Sequence, residues 1–271
     1  LRRSCWPEIA WRSSGLTNTG YPVELSWSSR DAALRWTAEV AGPETPEAAR
    51  LNAAVGALAG MGVAINLPDW LAPQPGRRLR FGAWIGGRHD AARDRYKIYV
   101  DMAGADLPAD LVQSLNQLAV PARTLWRMAG LDAAGGGMEL YGRLHRPEIW
   151  EVERLLSRCG GDASAVIDLA AVLSRVSDSE YLLPGTAGLS LATMVDGRHV
   201  VSFFVQSGPL IGGDAAIARK IRKLAQRHGW DTALYEALLG DEAPGRPGRH
   251  GIIGFGAAAE GVPWMQVGLR P

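Results

Sequence analysis

Residues 188–205 read GLSLATMVDGRHVVSFFV, and this stretch decides the fold. Its two ends alternate between apolar and small or polar side chains with a period of two, which is typical of β-strands. Between them, Asp196-Gly197 is a pair that strongly favours a tight hairpin turn. The stretch therefore predicts a β-hairpin with strands 188–194 and 199–205.

Four further segments repeat this pattern of two alternating strands around a short turn. They predict strand pairs 23–28 with 34–40, 79–85 with 96–101, 124–128 with 138–144, and 251–255 with 264–269. In the second of these hairpins, residues 86–94 are predicted to form a polar tip. The sequence thus predicts five hairpins.

Helical patterns lie between the hairpins and at their flanks. They cover residues 45–59, 107–118, 147–158, 164–176 and 211–228. Ten antiparallel strands hide their edges either by closing on themselves or by splitting into two layers. Helices between successive hairpins favour closure, because they would cover the apolar outer face. We predict an α+β fold, a closed antiparallel β-barrel of about ten strands with helices packed outside, and a single domain over residues 1–271; the alternative is a two-layer sheet with open edges.

A barrel of this size is wider than the eight-stranded barrel that side chains just fill, so it should contain a chamber. Strand alternation selects the side chains that line it, because residues of the same parity share a face. The inward candidates are Arg35, Lys97, Tyr99, Glu139, Tyr141 and Arg143. Trp36, Ile98, Leu140 and Leu144 have the opposite parity.

Composition excludes several classes of function. The 271 residues carry a formal net charge of +1, so no overall field attracts nucleic acid or an anionic membrane. No apolar run approaches the roughly 20 residues that span a bilayer. The two cysteines, Cys5 and Cys159, are too few for a disulfide framework, which favours a reducing, cytoplasmic setting.

Four short motifs, in this order and spacing, resemble the aromatic prenyltransferases of the αββα type (the ABBA or PT barrel). The likeness is nearer to the indole branch and the peptide-modifying, cyanobactin-like branch than to the phenol-modifying one. Residues 23–26, VELS, are similar to a first strand that bears a Glu, and residues 34–39, LRWTAE, to a second strand that bears an Arg. Lys97-Ile98-Tyr99 resembles the family's Lys-x-Tyr strand, and residues 267–271, VGLRP, its closing strand.

The resemblance implies transfer of a prenyl group from an allylic prenyl diphosphate to an electron-rich acceptor, either an aromatic small molecule, such as an aromatic amino acid or an indole, or a peptide side chain. Cations would bind the diphosphate, and the rings and hydroxyls of tyrosines would stabilise the allylic cation and donate hydrogen bonds. The implied diphosphate-binding residues are Arg35, Arg80, Lys97, Tyr99, Tyr141 and Arg143.

Glu24 is the implied catalytic carboxylate, which would orient the acceptor and favour its loss of a proton. The alternatives are a Glu on an exposed strand face or one paired with Arg35. Trp84, Phe204 and Gly268 are predicted to form the chamber wall. Later strands carry Ser202 and Phe203-Phe204 where the family continues its tyrosines, and Gly268 opens space there.

Glu139 stands where a basic donor would be expected, so a metal or a cationic acceptor is an alternative ligand for it. The sequence has no Asp-Asp-x-x-Asp motif, and its histidines lack metal-ligand spacing, so we predict no protein metal site. No cofactor is required, although Mg²⁺ can assist a diphosphate without a dedicated protein cage. The alternative function is a non-catalytic barrel that binds a peptide or a hydrophobic ligand for a partner enzyme.

Overall fold

The structure is a computed structural model that describes residues 14–17, 20–42, 44–72, 78–135, 137–174, 179–240, 248–257 and 262–270. Ten strands form a closed barrel in the order β1-β10-β9-β8-β7-β6-β5-β4-β3-β2. The strands are β1 (Val23–Ser28), β2 (Asp31–Ala38), β3 (Ala83–His89), β4 (Asp94–Asp101), β5 (Leu125–Asp132), β6 (Gly137–His145), β7 (Thr186–Met194), β8 (His199–Gln206), β9 (His250–Ala257) and β10 (Pro263–Leu269).

Every neighbouring pair of strands is antiparallel, including β1 with β10, which closes the sheet. Because the sheet is closed, no strand presents an edge of unpaired backbone N–H and C=O groups. The predicted fold class is confirmed, and the two-layer alternative is wrong.

Helices pack against the outside of the barrel. They are α1 (Glu47–Gly60), α2 (Ala109–Gln117), α3 (Ile149–Arg158), α4 (Ala163–Ser174), α5 (Ser207–Ile211), α6 (Asp214–His228) and α7 (Ala233–Leu239), with a 3-10 turn at Asp69–Leu71. The single helix predicted over residues 211–228 is wrong at its start, because Gly212 has a φ of 118° and separates α5 from α6. Helix α7 has no counterpart in the sequence prediction. None of the described helices is long and apolar enough to cross a bilayer.

The apolar core lies between the barrel and these helices. Ile85 and Ile98 are partners across β3 and β4, and they share one buried cluster with Leu51 and Leu58 of α1. Side chains of the other parity therefore point into the lumen, because strand neighbours alternate between the two faces. The fold thus separates an apolar exterior layer from a more polar interior.

The second hairpin is shifted relative to its prediction. The first strand was predicted at residues 79–85 with a tip at 86–94, whereas β3 covers Ala83–His89 and the turn lies at residues 90–93. Glycine is poorly represented in strands, which hid this part of β3. Here the two glycines make room for rings, since a Cβ on Gly86 would lie 2.9 Å from Tyr99 Cε2 and one on Gly87 2.5 Å from Trp36.

The turn of the fourth hairpin is one residue longer than predicted. Met194 N donates to Arg198 O, and Gly197 N donates to Met194 O, so the loop consists of Val195, Asp196 and Gly197. Gly197 has a φ of 80°. This is a three-residue hairpin loop whose last residue has a left-handed backbone conformation, and glycine adopts that conformation without strain.

Asp214 at the start of α6 joins this helix to the first residues of β9. Its carboxylate accepts hydrogen bonds from the backbone nitrogens of Gly248, Arg249 and His250 and from the buried His250 Nδ1, at 2.6 to 3.1 Å. Although burial opposes the charge, these donors hold the pKa of Asp214 below its ordinary value. Ionised Asp214 therefore stabilises the fold above the ordinary carboxyl range, and this contribution is lost as the pH falls through the lowered pKa.

We expect Asp214→Asn to lower the free energy of unfolding by about 1 to 3 kcal/mol in urea denaturation at pH 7, because an amide replaces a charged acceptor of several donors. Asp196→Asn is the matched control. Asp196 is an exposed turn residue that accepts from Arg198, and its replacement should change the free energy of unfolding by less than about 0.5 kcal/mol. Equal stability losses in the two variants would contradict this role of Asp214.

Candidate active site in the barrel lumen

The middle of the lumen is lined by alternate residues of β4 and β6. Lys97 and Tyr99 point inward from β4, and Glu139 and Tyr141 point inward from β6, with Gly130 of β5 between them. Each of these four side chains is enclosed by protein yet partly accessible, as expected for groups that face an internal space. The face that alternation predicts for them is the one they occupy.

Lys97 and Glu139 form an ion pair across the lumen, with 2.7 Å between Lys97 Nζ and Glu139 Oε2. Burial opposes both charges, but the pair's mutual attraction is stronger. It holds the pKa of Lys97 above its ordinary value and the pKa of Glu139 below its own. The pair is therefore ionised at neutral pH, and Glu139 neutralises much of the charge that Lys97 would offer to an anion.

Three aromatic rings form a row around the lumen on every second strand. The ring centroids of Tyr99 and Tyr141 lie 5.9 Å apart, and those of Tyr141 and Phe204 lie 6.3 Å apart, both edge to face. Burial, with the nearby Glu139 carboxylate, raises the pKa of Tyr141 well above its ordinary value, so its phenol stays neutral and can donate a hydrogen bond. Such a row offers π-faces to a cation and hydroxyl donors to an anion.

Glycines on the intervening strands make this row of rings feasible. A Cβ on Gly130 would lie 3.2 Å from Tyr141 Cε2 and 3.3 Å from Tyr99 Cδ1, and one on Gly188 would lie 2.0 Å from Phe204 Cε2. Phe203 points the other way and is fully buried in the outer core. Ser202 faces the lumen, and its Oγ lies within hydrogen-bond distance of Ser190 Oγ, at 2.7 Å. Of the residues in the later strands, Phe204 therefore continues the row.

We expect Gly188→Ala to destabilise the protein by about 1 to 3 kcal/mol and to reduce activity, because the added methyl overlaps the Phe204 ring. Thermal unfolding followed by circular dichroism measures the loss. Gly56→Ala is the matched control, since Gly56 lies exposed in α1 with no atom within 4 Å of its Cβ position. A melting temperature of Gly188→Ala at or above that of the wild type would contradict this packing.

Glu24 on β1 has no hydrogen-bond or ion-pair partner among the residues that the structure describes. Burial raises its pKa from 4.5 to about 7. A Cβ on Gly268 would lie 2.5 Å from Glu24 Cδ, and one on Gly251 would lie 2.6 Å from Glu24 Oε2. The space that a side chain at position 268 would fill is therefore occupied by the Glu24 side chain and is not open. An unpartnered carboxylate that titrates near neutral pH is typical of a general base.

Arg35 on β2 pairs with Asp31 at 2.8 Å, so the alternative in which it neutralises Glu24 does not apply. Arg35 lies directly opposite Arg88 on β3, and Arg88 lies opposite Arg95 on β4. Arg88 also pairs with Asp31. Sequence reasoning missed Arg88 because it assigned residues 86–94 to a loop, and it missed Arg95 because it began the next strand at Tyr96. The available signal was that Arg88 shares the parity of Trp84, and Arg95 that of Lys97.

Arg80 and Arg143 lie toward the opposite end of the barrel from the hairpin turns, and both are exposed. They cluster with Arg127, whose pKa is lowered by burial and by these two neighbouring charges. Arg80 precedes β3, and Arg143 is two residues beyond Tyr141 along β6. The structure therefore does not bring Arg80 and Arg143 into one cluster with Arg35 and Arg88, which lie nearer the hairpin turns.

Trp84 on β3 faces the lumen opposite Tyr99, as expected for a chamber wall. Its ring stacks on Phe81, with 3.9 Å between centroids, and its Nε1 is buried with no partner among the described residues. Within the same residues, no cluster of three or more His, Cys, Asp or Glu could hold a metal ion. Cys159 is a free thiol, and Cys5 lies outside the described residues.

No family model matches the chain, and no curated protein matches its sequence. Solved structures, however, match nearly its whole length. A 5-dimethylallyltryptophan synthase from Streptomyces coelicolor has a TM-score of 0.76 at 17% identity, covering 97% of this chain and 84% of that one. A 6-dimethylallyltryptophan synthase from Micromonospora olivasterospora, solved in complex with DMASPP and Trp, has a TM-score of 0.75 at 19% identity, covering 98% and 86%.

AnaPT from Neosartorya fischeri has a TM-score of 0.66 at 14% identity, covering 100% of this chain and 82% of that one. These structures are ABBA-type aromatic prenyltransferases, so the predicted likeness is confirmed for the fold. The likeness to the peptide-modifying, cyanobactin-like branch stays a prediction. The chain therefore folds as the ten-stranded ABBA barrel of the aromatic prenyltransferases.

Proposed function

We propose that this protein transfers a prenyl group from an allylic prenyl diphosphate to an electron-rich aromatic acceptor inside the barrel. The observation that carries the proposal is the row of Tyr99, Tyr141 and Phe204 beside cations, in the same lumen as the unpartnered Glu24. An enclosed lumen also keeps water from a reactive carbocation. The enzyme class that this arrangement fits is prenyltransferase.

In the proposed reaction, the ester C–O bond of the donor breaks and its electron pair leaves with the diphosphate. Arg35 and Lys97 stabilise the charge that develops on this leaving group, with Tyr99 and Tyr141 as hydroxyl donors. The faces of the aromatic row stabilise the allylic cation, by about 2 kcal/mol or more for a desolvated ring. A ring carbon of the acceptor attacks the allylic cation and forms the new C–C bond. Glu24 then takes the proton from that carbon, and the loss of this proton restores the aromaticity of the ring.

Solved relatives support the choice of donor and acceptor. The M. olivasterospora structure contains DMASPP and Trp, and PriB was solved with L-tryptophan and dimethylallyl thiolodiphosphate. We propose an aromatic amino acid, an indole or a peptide side chain as acceptor. We further propose that transfer needs no cofactor, that Mg²⁺ at most assists the diphosphate, and that the reaction takes place in the cytoplasm.

Two observations favour the second candidate, a non-catalytic barrel that binds a peptide or a hydrophobic ligand. Glu139 neutralises Lys97, and Phe204 donates no hydrogen bond where a tyrosine would. Both features weaken diphosphate binding at the centre of the lumen. The two candidate functions differ in one measurable property, which is turnover of a prenyl diphosphate.

A mass-spectrometric product screen tests the proposal. The full chain is incubated with dimethylallyl, geranyl or farnesyl diphosphate and with Trp, Tyr, Arg or short peptides, once with Mg²⁺ and once with EDTA. We expect a mass gain of one prenyl unit on an aromatic acceptor, in both conditions. If ligands bind but no combination gives a product, the proposed prenyl transfer is wrong and the non-catalytic binding barrel is favoured. If product forms only with Mg²⁺, the proposal that transfer needs no cofactor is wrong.

A further inference from the structure

His250, the first residue of β9, is buried and is held by hydrogen bonds through both its backbone and its ring. Asp214 Oδ1 of α6 accepts from the His250 backbone nitrogen at 3.0 Å and lies 2.7 Å from Nδ1. The His250 carbonyl oxygen accepts from Ser207 Oγ of α5 at 3.0 Å, and Nε2 lies 2.9 Å from the Tyr235 hydroxyl of α7. We call these four residues the His250 network. It ties the start of β9 to three helices.

The chemistry of the network assigns a direction to each hydrogen bond of the His250 ring. An ionised carboxylate can only accept, so Nδ1 carries a proton and donates to Asp214; in the neutral ring, Nε2 then accepts from the Tyr235 hydroxyl. The other charged groups nearby are Arg249 and Arg270, of which Asp214 attracts Arg270. The network lies in the layer between the barrel and its helices, so it does not contact a substrate in the lumen.

The strand pairing directly after His250 is irregular. The ladder between β9 and β10 shifts register there, and Gly251 and Ile252 lie opposite the single residue Gly268. Two residues against one form a β-bulge, in which the extra residue is left out of the regular ladder. The ladder alone therefore does not fix the position of Gly251, and the nearest firm anchor along the chain is His250.

This bulge forms part of the wall around the Glu24 carboxylate. A Cβ on Gly251 would lie 2.6 Å from Glu24 Oε2 and 3.6 Å from Gly268 O. On the other side, the residue opposite Glu24 across β1 and β2 is Thr37. Gly251, Gly268 and Thr37 carry no ionisable side chain, so enclosure, and not a partner charge, controls the proton affinity of Glu24. A shift of the bulge that admits water would therefore change the chemistry of this carboxylate.

We propose that the His250 network holds the β9 bulge against Glu24, which makes His250 and Tyr235 positioning residues for this carboxylate. They act through the backbone of Gly251 and take no proton from a substrate. The consequence for catalysis rests on the proposed function, whereas the enclosure of Glu24 does not. The network thus assigns a role to a buried Asp-His-Tyr cluster that the proposed reaction leaves unused.

Infrared difference spectra over a pH titration of the full chain test the proposal without any turnover. The band of the protonated Glu24 carboxyl is identified by its absence in Glu24→Gln, and in the wild type it should titrate near pH 7. Tyr235→Phe keeps the ring but removes the hydroxyl beside His250 Nε2. We expect the pKa of Glu24 to fall by about one unit in this variant, because water that enters at the loosened bulge stabilises the carboxylate.

Tyr181→Phe is the matched control, because it removes the same kind of hydroxyl from a residue that is bridged to Glu148, outside the network. In this control, Glu24 should titrate as in the wild type. A purely structural role of Tyr235 would lower the melting temperature of Tyr235→Phe but leave the titration of Glu24 unchanged. An unchanged pKa of Glu24 in folded Tyr235→Phe, or an equal fall in Tyr181→Phe, would overturn the proposal. If circular dichroism shows that Tyr235→Phe does not fold, Ser207→Ala takes its place with the same expected and contrary results.

Kinetics separate this proposal from the proposed function. If the chain transfers prenyl groups, the rise of kcat/KM with pH should move to lower pH in Tyr235→Phe by as much as the pKa of Glu24 falls. The KM for the prenyl diphosphate should stay the same, because the network contacts none of the proposed diphosphate-binding residues. A fall in the pKa of Glu24 together with an empty product screen would overturn prenyl transfer and support the positioning role. Product formation with an unchanged titration of Glu24 would support prenyl transfer and overturn the positioning role.

Discussion

We expect Glu24→Gln to lower kcat/KM for prenyl transfer by about 10² to 10⁴-fold, the usual contribution of a positioned general base. Gln has nearly the same shape as Glu and is neutral, so it can occupy the same space against Gly268 but cannot take a proton. Initial rates of product formation, measured by liquid chromatography, give the ratio. Glu153→Gln, at an exposed position of α3, is the matched control and should leave the rate unchanged.

The pH dependence of the wild-type rate should report the same carboxylate. Burial raises the pKa of Glu24 to about 7, so the fraction of ionised Glu24 and the rate should rise together as the pH increases through 7. The Glu24→Gln variant should not show this ionisation. An unchanged rise near pH 7 in Glu24→Gln would assign it to another group and contradict Glu24 as the base.

Stability should change in the opposite direction to activity. Because the pKa of Glu24 is higher in the folded state than its ordinary value of 4.5, the folded protein holds a proton that the unfolded chain releases. This contribution is present below about pH 4.5 and is lost as the pH rises through 7. At pH 8, Glu24→Gln should therefore melt at a higher temperature than the wild type, and at pH 5 the difference should be small. A lower melting temperature of Glu24→Gln at pH 8 would contradict the buried, unpartnered carboxylate.

We expect Lys97→Met to lower kcat for prenyl transfer by about 10² to 10³-fold, the usual cost of removing one preorganised donor to developing charge. Lys97 lies 5.8 Å from the centroid of the Tyr99 ring, so it is next to the proposed path of the allylic group. Single-turnover product formation measures this step apart from product release. Activity within threefold of the wild type would contradict a role for Lys97 in catalysis.

Removing Lys97 also leaves Glu139 without its counter-ion, which destabilises the fold for a reason unrelated to catalysis. The pKa of Glu139 should then rise, and Lys97→Met should lose more stability at pH 8 than at pH 5. The double variant Lys97→Met/Glu139→Gln removes both charges and should recover much of that stability without recovering transfer. Recovery of transfer in the double variant would show that the ionised pair is dispensable.

The contacts that decide the chemistry could not be predicted from sequence, because they join distant parts of the chain. Lys97 and Glu139 are 42 positions apart and lie on β4 and β6, which are separated by β5. They meet because Gly130 on β5 has no side chain between them; a Cβ there would lie 3.0 Å from Lys97 Cδ. Alternation predicted the face on which each residue lies, but it carries no information about that approach.

The second hairpin shows why local reasoning failed at Arg88 of β3. Gly86-Gly87 has the composition of a turn, so the strand was predicted to end before Arg88. In the barrel, the rings of Tyr99 and Trp36 fill the space above those two glycines and the strand continues to His89. Tertiary packing therefore overrode local propensity at this position.

The sequence by itself determined the elements that depend on neighbouring residues: five hairpins, the lumen-facing parity of Lys97, Tyr99 and Tyr141, and a barrel with helices outside. These follow from the two-residue period of a strand, which any local segment displays. Only the tertiary structure decided which groups meet. Closure sets β1 beside β10 and places the Glu24 carboxylate over Gly268, where burial raises its pKa. Burial and long-range pairing depend on the whole closed sheet, so no segment of the sequence contains them.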